Sequence, residues 1–192
     1  MKKKVIILIT MLLTSCNSSI QKTYYHLPLE INAKIFNKPL QHSTIWLQQI
    51  LIPDYLSGSG LVYQTNDVEY VITNNNLWVN PLVQQLTQTM VCSLNKKLPE
   101  WFISDLPLFR TKKNRLNIVI KKFQGRYDGK AIISGEWILK YQNYFIKRDF
   151  NFILTQKKDG YDELVKTLAL GWQKVSQQIS EEVVKLNDNK LK

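Results

Sequence analysis

The side chains able to do chemistry are few: two cysteines, Cys16 and Cys92, two histidines, His26 and His42, and one serine–lysine pair, Ser93 and Lys96. Ser93-Leu94-Asn95-Lys96 fits the S-x-x-K pattern, in which a lysine amine takes the serine proton and frees the hydroxyl for acyl transfer. The companion S-D-N and K-T-G motifs of that chemistry are absent, and a match with two fixed positions arises easily by chance, so an ordinary helix end is the simpler reading. The histidines stand sixteen positions apart with no cysteine or carboxylate cluster beside either, which gives neither a zinc spacing nor a nucleophile–histidine pair. No phosphate-binding loop is present, and Gly58-Ser59-Gly60 is too short for a G-x-S-x-G elbow. The carboxylates are spread along the chain and suggest no paired acid and base. No catalytic residue, metal or cofactor is expected.

Cys16 is the residue with a definite chemical role. Ahead of it stand Lys2, Lys3 and Lys4, an apolar run over 5–13 broken only by Thr10, and then small residues, the three-part layout of a secretory signal. A run of nine residues is about half of the roughly 20 that a membrane-spanning helix needs. Leu13-Thr14-Ser15-Cys16 resembles the bacterial lipobox: an aliphatic residue, two small ones, then the cysteine whose thiolate takes up a diacylglyceryl group. Residues 1–15 are therefore expected to be cleaved and Cys16 to be the lipidation site. The plainer alternative is a free cysteine after an ordinary signal. Two or more acyl chains, at about 0.8 kcal/mol per buried methylene, hold a protein stably at a membrane. Asn17 stands where well-studied Gram-negative lipoproteins retained in the inner membrane carry aspartate, so the expected location is the outer membrane, facing the periplasm.

Behind Cys16, residues 16–22 are short and mostly polar, a tether, and 23–192 read as a single domain large enough to bury a core. The mature chain has 23 Lys plus Arg against 15 Asp plus Glu, a net charge of +8. Export argues against nucleic acid as the partner of that charge and leaves anionic lipid headgroups, an acidic partner or plain solubility. With Cys16 lipidated, Cys92 has no partner for a disulfide, and stability must come from packing.

The elements that must position these residues follow from periodicity. Strands are expected over 24–29 and 45–52, the second stopped by Pro53, and a hairpin over 61–64 and 68–73. From 78 to 98 the period changes to that of a helix, with Leu82, Leu86, Met90 and Leu94 on one stripe and Asn80-Pro81 as its cap and first position. Cys92 falls roughly opposite the stripe, exposed or covered by another element. Three more strands, over 115–123, 130–141 and 144–155, form an antiparallel meander. A long helix over 161–186 closes the chain, with Asp159, Asp162 and Glu163 suiting its start. The expected fold is α+β: antiparallel strands in two groups, each followed by an amphipathic helix, packed as a single-domain sandwich. Trp78 and Trp137 lie in periodic apolar segments and read as core. The basic stretch Arg110, Lys112, Lys113, Arg115, Lys121, Lys122, Arg126 and Lys130 holds only Asp128 as counter-charge; it reads as a solvated face, or as a surface for anionic headgroups or an acidic partner.

The order of certain segments resembles the ABC-type transport auxiliary lipoproteins, the PqiC or YmbA family. The resemblance rests on Tyr24-Tyr25 with Leu27, Ile52-Pro53-Asp54-Tyr55-Leu56 before Leu61-Val62-Tyr63, Trp78 with Pro81-Leu82, Phe123-Gln124-Gly125 with Gly129, and Tyr161-Asp162-Glu163-Leu164-Val165. Gln64, Leu77 and Asn80 depart from the charged residues the family tends to carry there. The resemblance implies a non-catalytic lipoprotein of an MCE-type lipid transport system, docking a periplasmic tunnel protein at the outer membrane as a homo-oligomeric ring. A lipoprotein that assists assembly of an outer-membrane barrel or secretion complex is the alternative. An envelope hydrolase or transferase, the third reading, needs a pocket containing Ser93 and Lys96.

Overall fold

The computed structural model describes residues 21–29, 43–107 and 114–188. The signal segment, Cys16, Asn17, most of the tether, His42, Arg110, Lys112 and Lys113 lie outside the described residues. The elements, in chain order, are β1 (Thr23–Tyr25), β2 (Ser43–Leu51), β3 (Gly60–Gln64), β4 (Tyr70–Trp78), α1 (Leu82–Lys97), β5 (Trp101–Ser104), β6 (Asn114–Arg126), β7 (Lys130–Tyr141), β8 (Tyr144–Thr155) and α2 (Tyr161–Asp188). This is the α+β class expected, and both groups of strands join one sheet.

The long strand β6 organises that sheet. Along one edge it runs antiparallel to β7, from Asn114 opposite Tyr141 to Gly125 opposite Ala131, and β7 pairs with β8 over its whole length. The other edge is shared end to end by two strands, both parallel to β6: β2 against Arg115 to Val119, and β3 against Gly125 and Arg126. A 3-10 turn at Asp54–Leu56 steps between them. Outside β2 lies β5, also parallel, and outside β3 lie antiparallel β4 and then parallel β1. Alternation of apolar residues fixes which face each strand buries, whereas the partner and its direction are set by the connections.

Both helices cover one face of the sheet, and a continuous core fills the space between. It takes Leu116, Ile118, Ile120 and Phe123 from β6, alternate residues of β7 including Ile133 and Trp137, the Leu82, Leu86, Met90, Leu94 stripe of α1, and Leu168, Trp172, Val175, Ile179 and Val183 of α2. Trp78 and Trp137 are core residues, as their periodicity indicates. Gly171 lets α2 approach β7 closely, since a Cβ there would overlap the Ile133 side chain.

Three local details differ from the sequence reading. Trp78 closes β4, donating its backbone N–H to Ser59 at 2.6 Å, and α1 begins only at Leu82. Asn80 does not cap it with its side chain; Pro81 occupies the cap and its carbonyl accepts from Gln84 and Gln85. The connection through Trp101 contains β5, whose Trp101 and Ile103 point inward. The acidic start of α2 is as expected, with Asp162 and Glu163 in the first turn behind Gly160, which holds a φ of 116°. Among the described residues no helix is long and apolar enough to cross a membrane.

Candidate functional site

The site is built where α1, α2 and the segment after β1 meet. Two contacts set its frame. Gln85 on the first turns of α1 accepts the Leu27 backbone N–H at 2.8 Å and donates to the Asn80 carbonyl at 2.8 Å, so the chain leaving β1 is tied to the helix start. Trp172 of α2 donates its indole N–H to the Leu86 carbonyl at 3.2 Å and meets Phe123 edge-on, which fixes α2 against both α1 and the sheet. Between these fixed points a cavity of about 380 Å³ remains.

Leu27, Met90, Ala169 and Trp172 give the cavity an apolar wall, Ser93 and Ser176 a polar one, and Lys96 and Lys97 stand exposed at the end of α1. The structure therefore does bring Ser93 and Lys96 to one pocket, the condition set by the hydrolase reading. The proton bookkeeping does not follow that chemistry. Ser93 Oγ lies 2.7 Å from Ser176 Oγ, and Ser176 Oγ donates to the Gln173 carbonyl at 2.7 Å. A hydroxyl has one hydrogen, so Ser93 is the donor of the pair, and its proton runs toward a main-chain carbonyl through a second serine. A general base must sit within hydrogen-bond reach of the proton it abstracts, and neither Ser176 nor the carbonyl behind it is one.

Cys92 also lines this cavity, half-buried, and burial pushes its thiol above the ordinary cysteine value. Less thiolate at neutral pH means a slow nucleophile. His26 is exposed, with Nδ1 2.8 Å from the Leu27 carbonyl. Among the described residues no group of three His, Cys, Asp or Glu side chains could hold a metal ion.

The described part of the basic stretch does not form one patch. Lys121 bridges to Glu136 at 2.8 Å and Asp149 at 3.7 Å, while Arg126 and Lys130 flank Asp128 at 3.3 and 2.9 Å. Hydrogen bonding from Lys130, then the nearby Arg126 charge, holds the Asp128 carboxyl below its usual value. Arg115 instead belongs to a row that sequence reasoning missed. Strand register places Trp46, Arg115, Lys140 and Phe145 side by side across β2, β6, β7 and β8 on the face away from the helices. Phe145 is 72% exposed and its ring lies 5.8 Å from Lys140 Nζ.

Residues 25–180 match the family model of the ABC-type transport auxiliary lipoprotein component. The chain belongs to this family. Its relatives within the ABC-type transport auxiliary lipoproteins include the intermembrane transport lipoprotein PqiC of Escherichia coli (strain K12), 43% identical over 187 residues, which span 97% of this chain and 100% of that one. PqiC of Shigella flexneri matches to the same extent. A crystal structure of an uncharacterized protein, 47% identical, superposes with a TM-score of 0.76 over 85% of this chain and 99% of its own. Protein XCC0632 from Xanthomonas campestris, 9% identical, shares the fold with a TM-score of 0.67 over 88% and 100% of the two chains. The chain is thus a transport auxiliary lipoprotein, and the family is one of transport components rather than enzymes.

Proposed function

We propose that this chain is a membrane-anchored accessory lipoprotein of an intermembrane lipid transport system, docking a periplasmic MCE-domain tunnel protein at the outer membrane as a ring of identical subunits. The observation that carries the reading is the full-length likeness to PqiC, named an intermembrane transport lipoprotein, whose aligned 187 residues leave too few over to omit position 16. In this reading residues 1–15 are the cleaved signal and Cys16 carries the acyl chains. The seven residues of the tether span at most roughly 25 Å, so the domain works close to the membrane that holds it. A compact α+β body with a packed core and a serine lacking a general base supports a binding role over a catalytic one.

The test is crosslinking of the anchored protein in its own envelope, followed by pull-down and identification of the bound proteins by mass. Recovery of an MCE-domain protein is the expected result. Recovery of barrel or secretion components alone would overturn the transport reading in favour of assembly.

A further inference from the structure

Arg115 and Lys140 stand directly opposite each other in the antiparallel pair of β6 and β7. Like charges so placed repel. Among the described residues neither forms an ion pair, whereas Lys121 and Lys147 share Glu136, and Arg126 and Lys130 share Asp128. Asp105, beside the row, accepts the Trp46 indole N–H at 3.1 Å through its main-chain carbonyl, and its carboxylate bridges to neither cation. From there to Asp128 the sequence holds no other acidic residue.

An aromatic ring closes each end of the row. Trp46 is half-buried, and Phe145 stands 72% exposed beside Lys140. Trp, Phe and Arg are side chains enriched where proteins meet. Strands spaced about 4.8 Å apart make the row roughly 14 Å long, the length of four or five extended residues. The anchor favours a protein over a lipid surface as the occupant. β1 runs parallel to β4 and so antiparallel to β3 and β6, and the tether reaches Thr23 from the side where β6 ends at Arg126. Arg115 lies eleven residues back along that strand, roughly 36 Å away. A domain held by Cys16 presents its Arg126 end to the membrane first.

We propose that the row of Trp46, Arg115, Lys140 and Phe145 docks a short extended segment of a periplasmic protein, its carboxylates at the two cations and its apolar side chains against the two rings. The assignment rests on the anchored docking reading and adds to it the face and the chemistry of the contact.

The experiment places photoreactive p-benzoylphenylalanine at position 145 of the intact lipoprotein in its own envelope and identifies the crosslinked peptides by mass. The expected adduct is a protein segment with at least two carboxylates within about five residues of the attachment point, the span of the row. Lys140→Glu is expected to lower its yield about tenfold by setting a negative charge against the carboxylates, and Lys140→Gln to lower it less. Lys140→Glu should also keep its thermal midpoint, since it turns a repelling cross-strand pair into an attracting one. Adducts with phospholipid alone, with a second copy of this chain or with a segment lacking carboxylates, no adduct at all, or a yield unchanged in Lys140→Glu would each overturn the assignment. The docking reading is judged apart from it. An acidic segment from a protein without an MCE domain keeps the surface and removes the transport role, whereas an MCE-domain protein recovered by general crosslinking but never at position 145 removes the surface alone.

Discussion

Ser93 of α1 and Ser176 of α2 bridge the two helices through hydroxyls 2.7 Å apart, and the bridge is continued by Ser176 to the Gln173 carbonyl. Residues eighty-three positions apart thereby share one proton relay that ends in backbone. The two serines should act as a unit in stability. Ser93→Ala or Ser176→Ala alone is expected to cost about 1 kcal/mol, and the pair together clearly less than the sum, because the second loss removes a group already left unpaired. Urea unfolding of the four proteins measures this; additive losses would show that the bridge is not maintained in solution.

The contact between Gly171 and Ile133 sets the distance from α2 to the sheet. Gly171→Leu should lower stability by about 1–3 kcal/mol through overpacking. In Gly171→Ala the better helix propensity of alanine, about 1 kcal/mol, works against a milder clash. Adding Ile133→Val to the alanine variant removes the overlapping methyl, so the double variant should be more stable than Gly171→Ala alone. Chemical denaturation decides it, and a double variant weaker than both parents would place the strain elsewhere.

Glu136 stands between Lys121 and Lys147, each at 2.8 Å on the open face of the sheet. Hydrogen bonding from Lys121, then from Lys147, holds its carboxyl below the ordinary glutamate value. A carboxyl depressed in the folded state stabilises fully above its unfolded pKa of about 4.5 and loses that contribution as pH falls toward the lower folded value. Glu136→Gln should therefore show a shallower fall in thermal midpoint across the acid limb, and the difference should shrink in high salt. Parallel curves for the two proteins would contradict it.

Cys16 lies ahead of Leu27, the first of the described residues in the buried core. Cys16→Ala is expected to free the domain from the membrane without changing its unfolding midpoint. Fractionation after a high-salt wash is the measurement, and protein still held at the outer membrane would mean that something other than acyl chains retains it.

Most of the fold was legible because its signals are local. The four-residue stripe of α1, the hairpin at β3–β4 and the β6–β7–β8 meander each announce themselves within a short window. β5 was missed since four residues after a proline carry only one period of alternation in Trp101 and Ile103. The parallel attachment of β2 and β3 to β6 was illegible for a different reason: inward residues such as Leu47 and Ile50 satisfy either direction equally. The cavity could not be read at all. Ser93 and Lys96 fit a catalytic pattern, whereas their neighbours Leu27, Trp172 and Ser176 come from two distant stretches and converge only when α2 lies on α1.

The end-to-end seating of β2 and β3 along β6 also governs when the molecule can exist. Until the ribosome has delivered Val119, β2 lacks its stretch of β6, and β3 must wait for Arg126. Contacts of such long sequence separation form slowly. A newborn chain that has reached only Ser104 can therefore close the β3–β4 hairpin and pair β2 with β5, while the strand that joins these two pieces into one sheet is still to come.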